Sequence, residues 1–494
     1  MLWYGFIYYV IFLFFISITT FYFLRLFYLS SFFKFALTTS SFKYILNFFI
    51  FFSFWALLIL FYLFDFFSTF TLYNDTQNSG IDFFDYYFLD FGIWSTSTSL
   101  HLVSIYYFPF IYIFIVVTTL SVLFCMAYNS NELVSFMFYV SIILMSGYIL
   151  FFTDSLILFF LSYEMLLVPS FFILYNFAKT RRCVEAAYLM FFWTQFGAMF
   201  LLFSLLYLFF ICGTSSFHQI NEFYFTSFEV NFLFTCWLIG FGVKLPIWPF
   251  YGWLPKAHVE ASTNFSIFLS GVLVKFAFFG LLKCLISVHL EPTFYIVYPF
   301  LTIGIIDAVF KLFYQIDLKK LVAYSTVIEM HWLTICIISG QSALMLASFS
   351  MLISHALLST NSFFLVDAIG RRFKTRLITE VSGLNYLCPK LFILTLINTL
   401  VFLGFPGSIM FVSEILFFSF FFDLFPLLCL VFIFFLYLLG PTFFFRSWMN
   451  VLFGASIHLL RKLPADLTSR EVFLYGGLIF LMFWLGLTWQ AFIF

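Results

Sequence analysis

Seven ionisable side chains fall inside long apolar runs: Glu164, Lys244, Lys275, Glu329, His331, His355 and Glu414. An ionised group at mid-bilayer costs at least about 2.5–3.5 kcal/mol on insertion scales, so those present pair with one another or line a wet path. Protons move along groups whose affinities can be brought near neutrality. Burial disfavours the charged form of lysine and of glutamate, while an adjacent opposite charge restores it. A Glu–Lys pair that opens and closes is therefore a proton switch, and Coulombic coupling passes each change to the next site. His331 and His355 suit the intermediate positions, because imidazole titrates near neutral pH. Static ion pairs fixing helix register are the plainer use of such residues. A set spread over five or six helices points to transport instead. Asp307 and Asp367 lie nearer the basic ends of their runs and are expected to pair with Lys or Arg there, whereas His101 and His289 sit at span edges as interfacial residues.

The elements that must hold these groups are membrane helices. The chain has 494 residues, 64% hydrophobic and only 9% charged, which is too little polar material to cover a soluble globule. Its 22 Lys+Arg balance 22 Asp+Glu, leaving no basic footprint for nucleic acid. The eight cysteines are scattered singly, so no CxxC pair offers itself to an iron–sulfur cluster or zinc, and no metal centre is expected. The first basic residue is Arg25, after an unbroken apolar run, so the first segment reads as a retained span rather than a cleaved signal.

A spanning helix needs roughly 20 apolar residues. The runs give about fourteen spans, near 3–27, 44–66, 103–126, 133–153, 155–175, 184–212, 231–258, 263–287, 293–312, 318–339, 343–368, 388–422, 424–445 and 472–492. Basic residues, among them Lys179, Arg181, Lys311, Lys319, Arg371, Arg376, Lys390 and Arg461, fall in or beside odd-numbered loops; even-numbered loops hold only Lys283 and collect acids such as Asp75, Asp90 and Glu222. An even span count then puts both termini opposite the basic face. Two spans look discontinuous. The seventh carries Gly240, Gly242, Pro246, Pro249, Gly252 and Pro255, and the twelfth carries Gly404, Pro406 and Gly407. Breaks five spans apart predict an all-α, polytopic fold of two inverted five-helix repeats, spans 4–8 and 9–13, with an ion path at broken helices 7 and 12. The expected division is spans 1–3 with an acidic loop (1–130), a first repeat (131–290), a second (291–447) and a C-terminal loop and span (448–494). Gly240-Phe241-Gly242 has no strand before it and lies in an apolar span, so no nucleotide is assigned to it.

The run Val243-Lys244-Leu245-Pro246 followed by Trp253-Leu254-Pro255-Lys256-Ala257-His258-Val259-Glu260-Ala261, with Lys275 beyond, resembles the antiporter-like subunits of proton-pumping NADH:ubiquinone oxidoreductase, respiratory complex I. Further matches are Glu164 with Pro169, Gln315-x-Asp317-Leu318-Lys319 leading to Ala323-Tyr324-Ser325, Ser354-His355, and Pro406-x-Ser408 leading to Glu414, together covering about residues 155–425. Glutamate at 414 and the Pro-Lys-Ala-His-Val-Glu-Ala run resemble the mitochondrial subunit 4 branch; sister subunits typically carry lysine at the first position. The resemblance implies Glu164 and Lys244 as the switch pair, Lys275 and the span 10–11 groups as the relay, and Glu414 as the terminal site facing a neighbouring subunit. It also implies a histidine at 329, where this chain has glutamate, so the step at span 10 runs either through Glu329 or through the shifted His331. Ser262 stands where the family often has proline.

The expected function is proton translocation by a core membrane subunit of complex I in the mitochondrial inner membrane, with basic loops on the matrix side and both termini in the intermembrane space. The expected partners are other membrane-arm subunits, including antiporter-like subunits 2 and 5, with membrane lipids around them and no nucleic acid. No cofactor is expected in this chain; NADH, FMN, iron–sulfur clusters and ubiquinone would belong to other subunits. The rival readings are an autonomous cation/proton antiporter and a non-pumping structural subunit.

Overall fold

The computed structural model describes residues 88–89, 100–101, 130–177, 180–288, 297–454 and 465–488. The three predicted spans before residue 130, most of the acidic 69–100 loop and His289 lie outside the described residues. The chain divides into two compact units, Met1–Asp85 with Val134–Ser141 and Tyr86–Leu133 with Ile142–Phe494. Of the first, only a stretch of helix is described; the second holds all the groups discussed below.

Apart from a two-residue antiparallel pair, β1 (Phe88–Leu89) with β2 (Leu100–His101), the regular structure among the described residues is helical. Lipid offers peptide groups no partner, so apolar stretches satisfy their backbone internally. Over the described residues, each predicted run from residue 133 onward coincides with one helix or one interrupted helix. α1 (Ser130–Phe152) precedes α2 (Leu156–Met165) and α3 (Leu167–Asn176), which form one span around a turn at Leu166. The long α4 (Arg181–Cys212) and single-turn α5 (Phe217–Ile220) lead to α6 (Ser227–Lys244) and, past a break, α7 (Trp253–Glu260). α8 (Thr263–Phe268) continues through a π-helical stretch, Leu269–Leu273, into α9 (Val274–Ser287). Next come α10 (Val297–Phe313), α11 (Leu318–Ile338) and α12 (Ser342–Phe373). Short α13 (Leu384–Leu387) precedes α14 (Pro389–Phe402) and, past a second break, α15 (Ile409–Leu424). α16 (Pro426–Phe432) and α17 (Gly440–Phe453) flank a second π stretch, Ile433–Leu439, and α18 (Ser469–Thr488) closes the described chain. Seven of these helical stretches are long and apolar enough to cross a membrane by length and composition.

Both predicted breaks are present, for the local reasons the residues supply. Pro246 and Pro249 have no N–H to continue a helix past Lys244, and the chain turns through Ile247 N–H to the Gly242 carbonyl at 2.8 Å. In the second break Gly404 and Gly407 take φ of +69° and +89°, a region that favours glycine. The π stretches were not foreseen.

Burial separates two classes of span. The windows of Thr263–Ser287, Leu318–Ile338 and Ala343–Phe373 are 94%, 94% and 83% enclosed by protein, against 22% and 28% for Pro426–Phe453 and Ser469–Thr488. Lys275, Glu329, His331 and His355 all sit in the enclosed class, where a polar side chain meets other side chains rather than lipid. The C-terminal segment is tied to this core by charge: Glu471 lies 3.1 Å from Arg371 and 2.6 Å from Arg372, and Asp466 caps α14 by accepting the Lys390 and Leu391 amides.

Candidate functional site

Lys244 is the last residue of α6, placed where the break interrupts the span. A Thr226–Glu229 capping box starts that helix, the Glu229 carboxylate accepting the Thr226 amide at 2.7 Å. Those bonds hold the exposed Glu229 carboxyl below its ordinary affinity for a proton. At the other end, the Lys244 ammonium lies 3.8 Å from Glu164, beyond hydrogen-bond length, and donates instead to the Tyr163 carbonyl at 3.1 Å. It also stands 3.3 Å above the Tyr163 ring, a cation–π position. The pair is thus seen open, the lysine shared between a carboxylate and an aromatic face. A cavity of about 30 Å³ adjoins it, lined by Tyr163, Ser170, Thr194, Lys244 and, from the π stretch, Leu269 and Leu273. That volume is enough for a water or two. Among the described residues the Tyr163 hydroxyl and the Glu164 oxygen facing Lys244 find no hydrogen-bond partner.

Beyond the π stretch, the Lys275 ammonium donates to the Ser270 carbonyl, a group within that widened turn. Lys275 is within electrostatic reach of Glu329. Glu329 of α11 is hydrogen-bonded to Nδ1 of His355 on α12; its second oxygen is buried and has no hydrogen-bond partner among the described residues. Glu414 of α15 follows, within electrostatic reach of Glu329. Its carboxylate occupies the hollow left by Gly404, where an added Cβ would overlap it. Beside this step α12 and α15 meet through serine–methionine contacts, the Ser354 hydroxyl 3.6 Å from the Met410 sulfur and the Ser413 hydroxyl 3.6 Å from that of Met351.

The structure therefore brings Glu164 to Lys244 and Glu329 to His355, with Lys275 and Glu414 each within electrostatic reach of Glu329. His331 stands apart: its Nε2 accepts the Trp248 backbone N–H at 2.8 Å and its Nδ1 meets the Val327 carbonyl at 2.8 Å. Asp307 and Asp367 pair as expected near the basic end, with Lys311 at 2.7 Å and Arg371 at 2.8 Å.

Three groups escaped the sequence reading. His258 is fully buried, stacked on Phe363 at 4.9 Å, with neither ring nitrogen hydrogen-bonded among the described residues, and within electrostatic reach of Lys275, Lys319 and His355. Its place in the run after Trp253 was the available signal. Lys283 is not a loop residue but half-buried near the end of α9, donating to the Thr153 carbonyl among Phe159, Phe217 and Phe279. Asn361 and Asn398 join α12 to α14 at 2.8 Å in the protein interior, with no sequence signal beyond being polar in apolar runs.

The profile of the family described as NADH:quinone oxidoreductase/Mrp antiporter, TM, matches residues 153–440, which include all seven ionisable groups. The chain is 35% identical over 336 residues to "NADH-ubiquinone oxidoreductase chain 4" of Paramecium tetraurelia, covering 67% of this chain and 70% of that one. Its fold is similar to a chain of respiratory complex I from Thermus thermophilus (TM-score 0.70, 18% identity, 80% and 83% covered). It is equally similar in fold to a chain of the Mrp complex from Dietzia sp. (TM-score 0.70, 15% identity, 82% and 84% covered). With its broken spans, its enclosed charged core and this match across most of its described length, the chain belongs to the NADH:quinone oxidoreductase/Mrp antiporter membrane family, in the branch of the oxidoreductase's chain 4.

Proposed function

We propose that the chain is a membrane-arm subunit of respiratory complex I that translocates protons across the mitochondrial inner membrane, driven by NADH:ubiquinone electron transfer in other subunits. The observation that carries this reading is the set of ionisable groups held inside the helix bundle: Glu164 paired with Lys244, both partly buried, and Lys275, Glu329 with His355, and Glu414, all buried. Each is costly to place in a membrane. The open Glu164–Lys244 pair acts as the switch: closing it binds the lysine proton more tightly, and opening it releases the proton toward Lys275. Glu329 and His355 form the middle station, and Glu414 is the terminal group.

The two breaks lie five spans apart, and so do the two π stretches, in spans 8 and 13. This pairing supports two inverted five-helix repeats, spans 4–8 and 9–13, within about fourteen spans in all. The excess of basic residues in the odd-numbered loops supports an orientation with those loops on the matrix side and both termini in the intermembrane space. The redox centres are assigned to other subunits, and antiporter-like subunits 2 and 5 are the proposed lateral neighbours. An autonomous antiporter is the second reading, since the Mrp chain is as similar in fold as the complex I chain; the 35% identity to an oxidoreductase chain 4 favours the first.

The test is Lys244→Met in the assembled enzyme, with protons translocated and NADH oxidised measured together. Translocation should fail, alone or with NADH oxidation. Leaving both unchanged would reduce the subunit to a structural one, and sodium-for-proton exchange by a chain purified free of any redox arm would favour the antiporter.

A further inference from the structure

We propose that His331 is a positioning residue for the first proton site: it pins the unwound break of the seventh span, and with it Lys244, through the Trp248 backbone. The inference rests on the reading of Lys244 as a proton-exchanging group.

Between Lys244 and Phe250 the chain has two prolines and only three backbone donors. Leu245 and Ile247 donate back to Phe241 and Gly242, both at 2.8 Å. Trp248 donates to another span, at 2.8 Å to Nε2 of His331 on α11. A buried peptide N–H left without an acceptor costs about 1–3 kcal/mol, so this bond decides whether the break can keep its shape. The carbonyl freed at Val243 is taken by the Trp253 indole N–H at 2.9 Å. The break is thus held at two points, one on each side of Pro246.

The imidazole is itself fixed. A carbonyl only accepts, so the 2.8 Å contact of Nδ1 with Val327 requires the proton on Nδ1, and an Nε2 that accepts the Trp248 N–H carries none. Both nitrogens of a neutral ring are committed. A proton arriving at Nε2 would expel the Trp248 amide, which makes His331 a poor carrier and a good clamp. The charges facing it from α10 are already matched, since Asp307 binds Lys311 at 2.7 Å and the Tyr251 hydroxyl.

The packing around the clamp has no slack. On α10 a Cβ added at Gly304 would overlap the imidazole and lie 2.7 Å from the Trp248 Cβ, and the Trp248 ring stacks on Phe300 with centroids 6.2 Å apart. Three spans therefore meet at one hydrogen bond, four residues from Lys244.

The experiment compares His331→Gln with His331→Leu in the assembled complex. Glutamine offers an oxygen to Trp248 and an N–H to Val327 but cannot titrate; leucine fills space without an acceptor. Deuterium uptake over 245–252 and protons translocated per NADH are both read. The clamp predicts wild-type values for glutamine; for leucine it predicts about tenfold faster exchange in that segment and a lowered proton ratio. Translocation lost in the glutamine variant with exchange unchanged would make His331 a carrier and overturn the proposal. So would wild-type exchange in the leucine variant. If that variant does not assemble, glutamine decides alone: normal translocation supports the clamp and its loss overturns it. Lys244→Met run in parallel keeps the two readings apart, since normal translocation there would remove the proton site while leaving the exchange result to judge the clamp.

Discussion

Replacing Glu329 by glutamine isolates the middle of the line. Glu329 is 4% exposed, hydrogen-bonded to His355 through one oxygen and unpartnered at the other, so its neighbours cannot easily reorganise around a change. Glutamine keeps the shape and an acceptor for the imidazole N–H, but it neither binds nor releases a proton. A hydrogen bond to a charged group contributes about 1.5–3 kcal/mol, and each 1.4 kcal/mol is a factor of ten, so a transfer step deprived of it slows by about ten- to a hundredfold. Glu329→Ala is the wrong probe: removing one partner of a buried pair costs about 3–5 kcal/mol and tests assembly instead. Glu329→His returns a titratable group that the family resemblance implies at this position and should preserve much of the flux. The assay is purified complex in proteoliposomes, with acidification and NADH:quinone turnover recorded together and assembly checked on native gels. A fully assembled Glu329→Gln enzyme with wild-type turnover and proton ratio would refute the reasoning.

Gly404→Ala should act on Glu414 by direct contact, although ten residues separate them in sequence. The left-handed φ costs an L-residue about 1–2 kcal/mol, and the new Cβ displaces the Glu414 carboxylate; reduced translocation matching Glu414→Gln is expected, with a modest loss of melting temperature by calorimetry. Asp466→Ala removes the side chain that caps α14 and should cost about 0.5–2 kcal/mol, read as a lowered melting temperature with proton translocation per NADH unchanged.

How much of this was legible in the residues depends on the range of the interaction. Span positions followed from apolar length, and both breaks followed from missing N–H groups and glycine, all local properties. The Asp307–Lys311 and Asp367–Arg371 pairs were legible for the same reason, because partners four apart share a helix face. The rarity of charge marked out all seven groups within the apolar runs. The π stretches left no trace, since one extra residue in a turn depends on what the neighbouring helices demand. His258 and Lys283 were passed over because nothing local distinguishes a buried His or Lys near a span end from one that reaches the membrane surface.

The sequence alone determined that this chain is a membrane protein, where its helices yield, and which few charges the membrane encloses. It also held a constraint at span 10: residues two apart on a helix point about 200° apart, so Glu329 and His331 face different partners. Which of them would meet His355 was decided by tertiary structure. Helix rotation is set by packing against other spans, and here α12 presents His355 to Glu329 while the break after Lys244 presents the Trp248 amide to His331. A contact between spans is chosen by the sum of many side-chain fits, the cleft at Gly304 among them, and no single stretch of residues encodes that sum.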